Sequence, residues 1–406
     1  MNRWLGALAL GPCMAAFAQG HDVEVEVLPL EHASIRYSKT PAVDRAAKFA
    51  ARLKAGEIGL AYDDEFGYLP AVLRALDVPV ESQVLVFSKT SFQAARIFPR
   101  LPRAIYFNDD VAVGWVRGGD VVEMAAPDPV LGATFYSLDQ EQTARPVVER
   151  HGNDCLQCHH SPATAGVPGM LVRSVVPDRA GKAMFPGPSF ITDHRSPLHR
   201  RWGGWYVTGT HGTMRHMGNS MLERGADPEK LDNERGANVT DLKPFLDTGL
   251  YLSGGSDIVA LLVLEHQTRL TNLLARAVYQ LRLGKPAELD EIVRYMTFAD
   301  EAALEAPVKG LSGFAAGFTR RGPRDKRGRS LRDFDLSKRM FRYPLSYMFH
   351  SAAFDGMPAG VRDPLLRRIF DALEGRAGFD AGARAAIEIA RETKPGLPGY
   401  WRRELQ

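Results

Sequence analysis

The sequence predicts a mainly α chain with a β-meander insertion, an α+β fold, on three observations. Ile258 to about Leu283 repeats its apolar residues at helical spacing. Gln83 to Leu138 breaks instead into short β-rich runs separated by tight-turn compositions. Helical patterns return at Glu288 to Leu304, Asp363 to Leu373 and Ala381 to Arg391. At 406 residues and 45% hydrophobic content the chain can bury a large core, and its length favours several domains or one with large insertions. The expected organisation is a leader over residues 1–18, an N-terminal α/β region with the antiparallel meander over 19–140, a middle region over 141–250 and a C-terminal helical region over 251–406. No internal repeat or low-complexity tract interrupts it.

In chain order, Arg3, the uncharged stretch Trp4 to Phe17 and the small-x-small run Ala16-Phe17-Ala18 read as a signal peptide cut after Ala18. Cys13 follows Pro12, which spoils a lipoprotein signal, so it is expected to leave with the leader. The mature protein is then periplasmic or otherwise exported. Val23, Val25 and Val27 alternate with Glu24 and Glu26 as a strand would. A helix follows, with Thr40 as cap, Pro41 at its first position, one face of Val43, Ala46, Ala47, Ala50 and Leu53, and Gly56 as stop. The meander comprises Val84 to Phe87, Ala104 to Phe107, Val111 to Val116, Val121 to Ala125 and Ala133 to Tyr136, with turns at Asn108-Asp109-Asp110 and Arg117-Gly118-Gly119-Asp120. Gln142 to Cys158 reads as helix, interrupted near His151-Gly152, and Ser161 to Gly218 is Gly/Pro-rich loop of the kind that wraps a site. The long helix has Ser256-Asp257 as cap and Gly284 as stop, and its apolar stripe of Leu262, Leu270, Leu273 and Ala277 includes His266.

A net charge of +3 gives no argument for nucleic acid. Arg320 to Arg342 does gather ten Lys or Arg against three Asp, a solvated loop or a docking patch for an acidic redox partner. The longest uninterrupted apolar run, Ile258 to Leu264, is far below spanning length, so no transmembrane segment is expected in the mature chain.

The densest chemical signal is Cys155-Leu156-Gln157-Cys158-His159. Two thiols three positions apart on a helical turn can each join one vinyl group of haem while the next histidine reaches the iron. An export signal strengthens that reading, because such attachment happens on the outer side of the bacterial membrane. A zinc site completed by His160 or His151 lacks a second cysteine pair. A thioredoxin-like pair lacks the buried strand that should precede it, since Val147 to Asp154 is polar and broken by Gly152. A disulfide across two intervening residues would be strained.

In these residues the chain resembles the c-type cytochromes. The resemblance implies one haem c, held covalently by Cys155 and Cys158 with His159 as proximal iron ligand, in a cytochrome c-like haem-binding region embedded in a larger chain. It covers about Gln142 to Asn219, and departs from small cytochromes where His160-Ser161-Pro162 opens the Pro/Gly-rich stretch. Tyr106-Phe107-Asn108-Asp109-Asp110, Trp202-Gly203-Gly204-Trp205-Tyr206 and Leu264-Glu265-His266-Gln267-Thr268 look like runs in large single-haem proteins known mainly as uncharacterised bacterial sequences, which supplies no activity. The implied role is one-electron transfer with a redox partner protein. The alternatives are a haem enzyme, peroxidase-like or acting on a small nitrogen or sulfur compound, and a haem-based sensor.

A sixth iron ligand is expected from Thr192 to Met221, which holds His194, His199, His211, His216, Met214, Met217 and Met221. Met217, 58 positions after His159 and close to Gly212 and Gly218, is the favoured one, with His211, His216, Met214 and His266 as alternatives. Arg173, Arg195 and Arg215 are candidate partners for haem propionates. Asp109-Asp110 reads as a turn rather than an acid/base pair.

Overall fold

The computed structural model describes residues 25–89, 91–376 and 380–402. The expected leader, its cleavage site and Cys13 lie outside the described residues. So do Val23 and Glu24, and residues 25–29 form no strand.

The frame is a seven-stranded sheet. Its strands are β1 (Val84–Val86), β2 (Arg103–Phe107), β3 (Ala112–Trp115), β4 (Val121–Asp128), β5 (Gly132–Asp139), β6 (Val148–His151) and, after the small hairpin of β7 (Arg173–Val175) and β8 (Ser189–Ile191), β9 (Trp205–Tyr206). The order is β6-β5-β4-β3-β2-β1-β9, every neighbour antiparallel. Local chemistry makes the tight turns. Asn108 accepts from the backbone of Asp110 and Val111 between β2 and β3, and Gly118 and Gly132 take φ of +64° and +74° at the next two reversals.

The helices are α1 (Arg45–Lys54), α2 (Leu69–Ala75), α3 (Asn153–His159), α4 (Ile258–Arg282), α5 (Leu289–Met296), α6 (Phe314–Arg320), α7 (Ala352–Asp355), α8 (Ala359–Glu374) and α9 (Ala381–Thr393). Period-two alternation splits the sheet residues between two faces. Leu85, Tyr106, Val113, Trp115, Met124 and Tyr136 pack with Phe49 and Leu53 of α1 and Leu69 and Val72 of α2. From the opposite face Val84, Val86, Phe107 and Trp205 join the core around α4. Phe135 and Ala133 join a smaller cluster with Tyr37, Leu156 and Tyr279. Among the described residues no helix is long and apolar enough to cross a membrane.

This architecture corrects the expectation of a mainly α chain with an inserted meander and a cytochrome c-like region. The sheet is the frame on which the helices pack, and the motif sits on one short helix rather than in a compact helical module. Two causes stand out. Val148–His151 is an edge strand where the sequence predicts helix, and β9 is a two-residue strand that pairs only because the chain returns beside β1. Both come from beyond residue 140, so sheet hydrogen bonds cross the boundary expected there. The first helix also starts later than predicted, at Arg45. Asp44 caps it by accepting from the Ala47 amide, while Thr40 bonds the Ile35 carbonyl instead.

Candidate functional site

The sheet delivers the motif directly: β6 ends at His151, Gly152 breaks the strand, and α3 begins. Leu156 anchors the helix in the Phe135 cluster. Neither Cys155, partly buried, nor Cys158, exposed, is joined in a disulfide. His159, at the end of α3, lays its ring against Phe135 with centroids 4.7 Å apart. Its Nδ1 lies 2.8 Å from the Gly169 carbonyl oxygen, which can only accept, so Nδ1 carries the proton and Nε2 keeps its lone pair. Burial lowers the His159 pKa and favours this neutral form.

Three elements hold that carbonyl. The Gly169 amide donates back to the His159 carbonyl at 2.9 Å. Asn272 of α4 accepts from the Met170 amide at 3.2 Å and donates to its carbonyl at 2.7 Å. Ala133 at the start of β5 donates to the Pro168 carbonyl at 2.7 Å. The histidine is therefore oriented by the long helix and the sheet, although the loop between is irregular.

Beside Phe135 the same sheet face is unusually small and half-buried, at Ala125, Ala112 and Ile105, with Gly114 between. It is also charged. Arg103 pairs with Glu123, whose Oε1 accepts from Ser91 Oγ at 2.6 Å and Gln93 Nε2 at 2.9 Å. A Cβ on Gly114 would collide with the Arg103 guanidinium, so this glycine makes its room. Arg103 Nε is buried without a hydrogen-bond partner. Next along the face, Ser137 Oγ and His151 Nε2 are 2.6 Å apart.

These residues are compatible with covalent haem. A reactive or metal-binding cysteine needs a stabilised thiolate, whereas burial, helped by Glu123, pushes the Cys155 thiol up to about 11. Among the described residues no group of three or more His, Cys, Asp or Glu is arranged to hold a metal ion. The motif needs only a single histidine with a free Nε2 and two accessible thiols.

The residues expected as sixth ligands have partners of their own. Met217 Sδ lies 3.5 Å from Ser174 Oγ, beside Gly203 and close to β9, at the other end of the strand order from β5. Met214 Sδ accepts from the Glu305 amide. His211 Nε2 and His216 Nδ1 accept backbone amides of Asn238 and Gly218, so the lone pair each would offer iron is engaged. His266 is bonded at both nitrogens, to His194 at 2.7 Å and Ser346 at 2.8 Å. The expected propionate partners are engaged too: Arg173 with Ser189, Arg195 with Asp193 and Arg215 with Glu234. Asp109-Asp110 does form the turn, Asp109 pairing with Arg332 and Asp110 with Arg45.

Sequence reasoning missed Phe135, Gly169, Arg103, Glu123 and the Ser137–His151 pair. One available signal was Glu123 standing inside the otherwise apolar run Val121 to Ala125. Comparison of the chain with known protein families, with curated proteins and with solved structures finds no match.

Proposed function

We propose that the chain is an exported protein carrying one haem c, attached through Cys155 and Cys158 with His159 Nε2 toward the iron, and that it works in one-electron transfer with a redox partner protein. The observation that carries this reading is His159 itself: its Nδ1 proton is committed to Gly169 and its Nε2 lone pair kept free, with two cysteines outside any disulfide within one helical turn of it. The haem would supply the one-electron couple. The chain's part is to fix the imidazole through Gly169, Asn272 and Phe135, and to shield one side of the site with the sheet.

The test is expression alongside haem-maturation machinery, followed by acid-acetone extraction and haem staining in a denaturing gel. Haem should stay with the polypeptide, and Cys155→Ala and Cys158→Ala should each impair attachment. Complete loss of haem from native material, or full attachment in both variants, ends the proposal.

One observation favours a second reading, a haem that binds or transforms a small molecule. Each residue expected as sixth ligand has a partner of its own in the fold. Reduced protein that shifts its spectrum with carbon monoxide supports this open-site reading, and protein that ignores carbon monoxide supports the relay.

A further inference from the structure

Glu123 and Arg103 are charges held largely out of water on the sheet face against which α3 packs, and neither is explained by stability. Their side chains are only 12% and 19% exposed. A buried ion pair is a weak source of stability, since removing two charges from water offsets most of their attraction. Apolar residues of similar size would fit a strand equally well. The surroundings nevertheless preserve the pair: Gly114 clears space for the guanidinium, and Ser91 and Gln93 hold the carboxylate from a separate loop. The pair stands next to the motif on the same face: Glu123 lies opposite Ser137 and two residues from Ala125, which packs with Phe135 and Cys155, and Phe135 carries the His159 ring.

We propose that the Arg103–Glu123 pair is the charged wall of the haem pocket: Glu123 favours the oxidised iron, and Arg103 balances that charge and sets the reduction potential between the two. The inference rests on the haem reading above. The step concerned is reduction of ferric to ferrous iron by one electron from an external donor, with no bond made or broken. A negative charge nearby stabilises the more positive ferric state and a positive charge opposes it. Arg103 and Glu123 are thus positioning residues for charge and need not touch the iron.

The test is a redox titration of covalently loaded wild type, Glu123→Gln, Arg103→Gln and the double variant at pH 8, using dithionite and ferricyanide with mediators. Glu123→Gln should raise the ferrous-to-ferric ratio at fixed potential by about tenfold, as expected for one charge over about 10 Å at an effective dielectric of about 20. Arg103→Gln should lower it, and the double variant should return toward wild type. A merely structural pair would not give opposite signs that cancel. If Arg103→Gln does not fold, Glu123→Gln, nearly isosteric, decides alone. A loaded Glu123→Gln protein whose potential is unchanged or lower overturns this inference and leaves the haem reading standing. A wild-type chain without covalent haem overturns both.

Discussion

Two glycines beside the candidate site differ in what their surroundings can yield. At Gly114 a methyl group would meet the Arg103 guanidinium, the far end of a flexible side chain that can shift only by straining its pair with Glu123. At Gly132 it would stand 2.5 Å from the Pro168 carbonyl oxygen, with φ at +74°. Neither the backbone oxygen nor the turn can move without releasing the loop whose Gly169 carbonyl orients His159. Gly132→Ala should therefore cost about 2–4 kcal/mol and Gly114→Ala about 1 kcal/mol, read from urea midpoints. Equal losses would show that the Pro168 loop is softer than its hydrogen bonds indicate. Gly132 is recognisable from sequence as a reversal between two β runs. The need for glycine at 114 is not, because its reason lies on a different strand, in Arg103.

At the scale of elements, α4 ties the site to the rest of the fold, and Asp257 starts it. The Asp257 Oδ1 accepts from Val259 and Ala260, and Oδ2 accepts from the Leu311 and Ser312 amides at 2.7 and 2.8 Å. Replacing this buried carboxylate by alanine removes a cap worth about 1 kcal/mol and leaves further amides without partners at about 1–3 kcal/mol each. Asp257→Ala should accordingly lose about 3–5 kcal/mol, and Asp257→Asn clearly less. A loss near 1 kcal/mol would mean that the Leu311 segment finds other acceptors. This helix is legible in the sequence because cap, periodicity and the Gly284 stop agree, and its register correctly puts His266 inside. Its role is less legible. The pattern predicts one apolar stripe, whereas Glu265, Gln267 and Asn272 are buried as well, each bonded to a partner far along the chain: Arg201, Tyr347 and Met170. The motif Cys155-Leu156-Gln157-Cys158-His159 is legible because its chemistry is local. The residues that orient and charge it come from β2, β4, β5 and α4, and only tertiary structure brings those together.

Over the whole molecule, burial has collected titratable groups that respond to acid in opposite senses. It holds His216 and His266 down to about 3 and His350 to about 4, and lowers His160, His194 and His211 as well. It pushes Glu265 and Glu301 up to about 7. As pH falls below about 6.5 the unfolded chain protonates its histidines while the folded chain does not, so each such histidine removes about 1.4 kcal/mol of stability per pH unit until its folded pKa is reached. The two carboxyls act oppositely between about 7 and 4.5, because there the folded chain holds protons that the unfolded chain releases. Below about 4.5 that offset ends. Asp335, which accepts from Ser337 and Lys338 and is held at about 2 against its burial, then adds to the loss. Urea midpoints should consequently fall from pH 6.5 downward and fall faster below about 4.5. A midpoint that stays level to pH 3 would mean that the buried histidines gain protons without opening the core around α4.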